Sequence, residues 1–232
     1  MTLCIIITLI GAAVLFLYVK EKIRSYSPLA LMLKSAVSFL FISVAVAGQL
    51  CRGGDYGIFV IGALVCGLLG DIWLDLKYVY PDDSEKYTFA GFMAFGCGHI
   101  LFITGLILNY ASLALPFYII IPAVIGIAGG VVTGASGSLM GLDYGKYKKI
   151  VMVYGALLFG MTVLSGSLAL QHSFSEPALN LMFIGGILFA ASDLVLSGTY
   201  FGEGRERPAD LIANYILYYG AQFVIAWSVM FA

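Results

Sequence analysis

The chain has 232 residues, of which 61% are hydrophobic and only 11% charged, with a mean hydropathy of +1.00 and a formal net charge of -1. A soluble domain carries about a quarter charged residues, so this composition belongs to a membrane, and the near-zero net charge gives no hint of a nucleic-acid partner. Open strand edges cannot face lipid; the expected fold is all-α, a polytopic transmembrane helical bundle.

With roughly 20 apolar residues needed per crossing, the apolar runs predict about eight spans, at 2–19, 28–48, 57–77, 88–109, 113–133, 149–170, 178–200 and 210–231. Little chain remains between them, so residues 1–232 read as one integral-membrane helical domain. The first run, MTLCIIITLIGAAVLFLYVK, has no basic residue before it and no small-residue cleavage site, and reads as a span and not as a cleaved signal peptide. Cys4, Cys51, Cys66 and Cys97 lack metal-ligand spacing, and three of them fall in apolar spans; neither a disulfide nor a metal is expected, nor any cofactor. Lys20, Lys22, Arg24, Lys77, Lys86, Lys146, Lys148, Lys149, Arg205 and Arg207 all fall at odd-numbered connections, whereas the even ones hold only Arg52. The positive-inside rule then puts the odd connections in the cytoplasm and both termini on the opposite side. Short loops without sorting signals suit a bacterial inner membrane.

Asp71, Asp75 and Asp193 lie inside these apolar runs, where a charge is costly enough to be a functional hypothesis by default. Spans three and seven run in the same direction in this topology, so Asp71 and Asp193 come to a similar depth. Asp71 and Asp75 are four apart and share a helix face, with Lys34 of span two as an available counter-charge. His99, Tyr218, Tyr219 and Gln222 lie about three turns into their spans, near the midplane, so polar groups from five helices are expected around one cavity. LLGDIWL (68–74) and AASDLVL (190–196) share a small residue, an Asp and a Leu three positions on. Gly98-His99 follows Asp71 at nearly the interval by which Ala221-Gln222 follows Asp193, a weak sign of a four-plus-four duplication with parallel halves.

GLLGDIWLDL (67–76), FGCGHILFI (95–103), LFAASDLVLS (188–197) and YYGAQFVIAWS (218–228) together resemble the YhhN family of eight-span membrane proteins. Lys34 falls where that family has a Lys in its second span, with Ser35 standing where the family usually has Pro. The characterised members are lysoplasmalogenases. The resemblance therefore implies hydrolysis of the vinyl ether bond of a lyso-ether phospholipid, giving a fatty aldehyde and glycerophosphoethanolamine or glycerophosphocholine.

The residues suit that chemistry. A vinyl ether hydrolyses by slow proton transfer to the alkene carbon remote from its oxygen, and water captures the resulting oxocarbenium ion. The reaction needs one carboxyl group still protonated near neutral pH, which burial and a neighbouring carboxylate favour, and one anion beside the developing cation. Glycosidases divide two carboxyls in the same way. Asp193 is assigned as the acid and Asp71 as the carboxylate, with the reverse assignment open. Lys34 either holds Asp71 ionised or binds the head-group phosphate. Asp75, His99, Tyr218, Tyr219 and Gln222 are candidates for binding substrate or orienting water.

Plainer roles stand beside these: Lys34 snorkelling to the interface, Asp75 wet near its loop, His99 as packing, the tyrosines and Gln222 as interhelical glue, and His172 as a solvated loop residue. Glycines 126, 129, 130 and 134 read as close helix packing, and Asp82, Asp83, Glu203 and Glu206 as loop charges. A proton-coupled transporter would use the same buried groups as a relay, although no Pro breaks spans three, four, seven or eight. An intramembrane aspartyl protease fits poorly. Its Gly-any-Gly-Asp motif is interrupted by Leu69, and the second acid follows Ser192.

Overall fold

The computed structural model describes residues 1–24, 27–137, 139–202 and 207–232. Within them run eight long helices: α1 (Thr2–Arg24), α2 (Pro28–Arg52), α3 (Asp55–Val79), α4 (Ser84–Tyr110), α5 (Phe117–Ser136), α6 (Lys148–Gln171), α7 (Pro177–Phe201) and α8 (Pro208–Ser228). Each predicted span is a helix, and most continue past their apolar run, which satisfies the backbone out to the polar interface. The fifth departs most, starting at Phe117 and not at 113. The apolar run ASLALP ends in Pro116, and Leu115 N donates to the Ser112 carbonyl at 3.1 Å, so the segment before Phe117 is a turn.

The helix ends follow from local chemistry. Pro28, Pro177 and Pro208 occupy first turns, where a missing N–H costs nothing. Ser27 accepts from Ala30 N at 3.2 Å and caps α2. The α2–α3 connection turns through Gly53 and Gly54, with φ of 74° and 83°, a region that a Cβ disfavours.

Helices α1 to α7 are each long and apolar enough to cross a membrane, and the chain is an integral membrane protein. Helix α8 falls below that hydropathy because it carries Asn214, Tyr215, Tyr218, Tyr219 and Gln222, all buried. It packs on α7, α2, α1 and α3, so its polar side chains face protein and not lipid. The basic residues of the odd-numbered connections cluster at one end of the bundle, except that Arg205, like Glu203 and Glu206, lies outside the described residues. At this basic end Asp143 N donates to the Phe201 carbonyl at 2.8 Å, Leu142 pairs with Gly202, and Lys146 pairs with Glu85.

Within each set of four, α1–α4 and α5–α8, sequential helices pack against one another, most extensively α3 on α4, α5 on α6 and α7 on α8. Two cross-contacts close the bundle, α2 on α8 and α6 on α4. Both sets of four helices therefore use one pattern, the form a four-plus-four repeat would take. Asp71 and Asp193 obey it too, each lying sixteen residues after the first residue of its helix.

Helix α5 packs chiefly on α6, burying only Pro122, Gly126, Gly130 and Gly134, a stripe at four-residue spacing. A Cβ on Gly126 would lie 2.7 Å from Gly160 Cα, and one on Gly130 would lie 2.3 Å from the Met152 carbonyl oxygen. Gly130→Ala is expected to cost about 1–3 kcal/mol of stability by overpacking this seam. Gly220→Ala, whose methyl meets nothing within 4 Å, serves as control and should leave stability unchanged or slightly raised. Thermal unfolding in detergent compares them; equal midpoints would mean that the seam does not hold α5.

Candidate intramembrane carboxylate site

Two aspartates one turn apart on α3 share a face, and α1 and α2 supply their cations. Asp75 Oδ1 accepts from Lys22 Nζ at 3.1 Å and from Lys34 Nζ at 3.2 Å. Lys34 Nζ also lies 3.4 Å from Asp71 Oδ1. Asp71 Oδ2 accepts from Ser38 Oγ at 2.7 Å and from the Tyr218 hydroxyl at 2.9 Å. The result is an alternating chain, Lys22–Asp75–Lys34–Asp71, two charges of each sign, with side chains 3–6% exposed. This burial corrects two of the plainer readings. Lys34 does not snorkel, because its ammonium is buried between two carboxylates, and Asp75 is not wet, because the end of α1 brings Lys22 over it.

Asp193 on α7 has a different setting. The Tyr154 hydroxyl of α6 donates to its Oδ2 at 2.5 Å, and among the described residues no Lys or Arg pairs with it. Asp193 is only partly buried, unlike Asp71. The Tyr154 ring packs on His99 (centroids 5.3 Å apart) and Phe92 (5.6 Å). Asn214 of α8 steadies the same turn of α7, its Nδ2 donating to the Ser192 carbonyl at 2.9 Å and to Ser192 Oγ at 3.0 Å.

Both aspartates line one cavity of about 530 Å³, together with Lys34, Tyr154 and Tyr218. The remaining wall is mostly apolar and comes chiefly from α5, α6 and α7, with Leu74 of α3 and Phe92 and Phe95 of α4. Its members Ile125, Val132 and Leu194 are also exposed on the surface of α5 and α7, so the cavity opens sideways between these helices. At the basic end the lining passes to Ser136, Tyr144, Ser197 and Tyr200.

Four of the expected residues do not line this cavity. Asp75 lies behind Lys34 in the ion chain. Tyr219, the next residue on the helix, meets the Tyr218 ring edge-on at 4.9 Å but does not reach the cavity. Tyr219 packs on Tyr18 and Phe41. Gln222 lies one turn beyond Tyr218, away from the basic end, against Gly67. His99 is buried among Phe102, Tyr154 and Phe189, with no hydrogen bond to either ring nitrogen among the described residues. His172 is no solvated loop residue either: its Nε2 donates to the Tyr110 carbonyl at 3.2 Å and joins α6 to the end of α4.

Lys22, Ser38, Tyr154 and Asn214 escaped sequence reasoning. Ser38 had a signal, since it lies four residues after Lys34 and so on the same face. Lys22 was hidden in a basic cluster that reads as loop charge. Nothing distinguishes Tyr154 from any other aromatic in an apolar span.

Membrane-crossing helices around a sideways-opening cavity with two carboxyl groups define a polytopic membrane protein with an intramembrane acid site. Residues 29–229, from the start of α2 to the end of α8, match the YhhN family, and the chain belongs to that family. No curated protein and no solved structure matches it.

Removing one member of a buried ion network typically costs about 3–5 kcal/mol, because its partner stays buried without compensation. Lys34→Met should therefore destabilise the protein strongly. Adding Asp71→Asn restores charge neutrality and should recover part of the loss, giving a clear coupling energy in a double-mutant cycle. Additive effects on unfolding would mean that the two groups do not interact.

Proposed function

We propose that this protein hydrolyses the vinyl ether bond of lysoplasmalogen, releasing a fatty aldehyde and glycerophosphoethanolamine or glycerophosphocholine. The observation that carries the reading is the inequality of two carboxyl groups on one cavity. Asp71 has a cation and two hydroxyl donors and is built to remain an anion. Asp193 has a single phenol donor and no paired cation, which suits the group that carries a proton. Membership of the YhhN family supports the same reading.

The steps balance with these two groups and one water. Asp193 gives its proton to the alkene carbon remote from the ether oxygen, and the carbon bonded to that oxygen becomes an oxocarbenium ion. Tyr154, donating to Oδ2, steadies the carboxylate left behind. Asp71 faces the cation and takes a proton from the water that attacks it, forming a hemiacetal. Asp71 then returns that proton to the departing glycerol oxygen while Asp193 recovers one from the hemiacetal hydroxyl, and the C–O bond breaks to give the aldehyde. The hydrocarbon chain enters from the bilayer through the opening between α5 and α7. A transporter would need an unwound segment at its site, whereas α3, α4, α7 and α8 are continuous helices with no interior Pro.

Purified protein should release aldehyde from an alkenyl lysophospholipid and not from its acyl counterpart. Asp71→Asn and Asp193→Asn should each abolish release, Asp71→Asn with the lowered stability that loss of a network member brings, and activity retained in either would remove that residue from the mechanism. Tyr154→Phe should lower kcat by roughly tenfold to a hundredfold, below the full contribution of a general acid, with KM little changed. An unaltered kcat would show that the phenol does not steady Asp193.

A further inference from the structure

We propose that the site takes the vinyl ether end of its lipid with only about six carbons of the hydrocarbon chain. The rest of the chain stays in the bilayer, so the protein selects against bulk beside the double bond and is indifferent to chain length beyond it. The inference rests on the lyso-ether lipid reading above and adds to it which part of the chain is recognised.

The reach of the cavity past the acids is short on every helix that lines it. Helices α5 and α7 run toward the basic end and α6 runs away from it, so the lining residues report depth. On α7 the deepest of them, Phe189, lies four residues before Asp193, and on α6 Phe159 lies five after Tyr154. The glycine seam sets α5 level with both. A Cβ on Gly130 would lie 2.3 Å from the Met152 carbonyl oxygen and 2.9 Å from Ala156 N, which puts Gly130 at the level of Tyr154. Ile125, the deepest lining residue of α5, lies five residues before it. At 1.5 Å per residue each of these intervals is about 6–8 Å. Among the described residues, none that lines the cavity from α3 lies deeper than Asp71, and none from α8 deeper than Tyr218.

Beneath the acids the cavity ends on aromatic rings. Phe189 of α7, Tyr218 of α8 and Phe95 of α4 stand nearly perpendicular to one another, with centroids 5.4, 6.0 and 6.2 Å apart. The His99 ring packs on Phe189 at 5.1 Å. A Cβ on Gly70 would lie 2.6 Å from the Phe95 ring, so no space separates that ring from α3. A hydrocarbon chain therefore finds no path inward between α3, α4 and α8.

An extended hydrocarbon chain advances about 1.3 Å per carbon, given single bonds of about 1.5 Å, so about 6–8 Å of cavity holds about six carbons. A membrane lipid is longer than that: one leaflet of a hydrocarbon core about 30 Å thick takes a chain about 15 Å long. The excess has one direction to go. Ile125 and Phe159, the deepest lining residues of α5 and α6, and Leu194 beside Asp193 are all exposed on the surface that faces lipid, so the chain leaves sideways past them. Outside, acyl chains surround it whatever its length. Inside, the space next to Asp193 is walled by Phe95, Leu158, Phe189 and Ala190, where an added methyl group must displace packed side chains.

The test uses the full-length protein in mixed detergent micelles at a fixed surface mole fraction of substrate, so that partitioning does not vary with chain length. Alkenyl lysophosphocholines with chains of about eight to about eighteen carbons should give kcat/KM values within about twofold of one another, whereas a methyl branch on the fourth carbon from the ether oxygen should lower kcat/KM about tenfold or more. The same branch on the twelfth carbon should change it by less than about twofold. Ala190→Leu, which fills the space beside Asp193, should lower kcat/KM about tenfold at every chain length, with thermal unfolding as the check on folding. The substrate series needs no variant and carries the test even if that one fails to fold. A sharp optimum at one chain length, an equal cost for the two branches, or an unaltered kcat/KM in folded Ala190→Leu, with aldehyde release by the wild type intact, would overturn the chain site and leave the hydrolase reading standing. Saturated alkyl lysophosphocholines, straight and branched, give the same comparison as Kd by calorimetry. If the wild type releases no aldehyde, yet binds these lipids with a Kd that ignores length and rises with the near branch, the hydrolase reading falls and the chain site is kept.

Discussion

The alternating chain Lys22–Asp75–Lys34–Asp71 is the interaction on which the arrangement of the first helices depends. Four charges inside a bilayer are tolerable only because each cation meets a carboxylate and the sum is zero. The chain joins α1, α2 and α3, and the hydroxyl of Tyr218 brings α8 onto its inner end. It also sets the charge of the cavity wall: one carboxylate faces inward, held by a cation and two hydroxyls, while the rest of the network is sealed behind it.

The two halves of the bundle carry the same acid in different company. Lys34 and Tyr154 each lie six residues after the first residue of α2 and α6, and each reaches the aspartate at the common position of the helix that follows. At one register one half has a cation and the other a phenol. This single difference separates an aspartate that is charge-compensated from one that is not, within a scaffold that otherwise repeats its packing. Proton transfer between unlike carboxyls requires such a separation, and two identical halves would not supply it.

Much of the scaffold is legible in the sequence because the bilayer imposes it. Apolar length gives the helices, and the direction of each crossing puts Asp71 and Asp193 at one level. The pairing of Lys34 with Asp71 follows from the cost of an unpaired charge. What is not legible is azimuth, the direction in which a side chain leaves its helix. Tyr218 and Tyr219 are neighbours in sequence, yet only Tyr218 lines the cavity. His99 has the composition of a site residue but lies behind the wall. Lys22 resembles a loop charge until the end of α1 is seen to cover Asp75. For Tyr154 the decisive fact is a neighbour on another helix, which no local pattern encodes.

Helix α5 supplies one side of the cavity and is attached through a glycine seam and a hydrogen bond from Ser167 Oγ to the Tyr118 carbonyl at 3.0 Å. Its outward residues, among them Ile120, Val124, Ile127 and Val131, face hydrocarbon. Inside a membrane no hydrophobic effect presses such a helix onto its neighbour; only close contact outcompetes the acyl chains for the same surface. Thickness, chain order and lateral pressure of the surrounding bilayer thus act on α5 more directly than on helices tied by buried charge. The width of the opening is consequently set jointly by the protein and the lipid phase that solvates it.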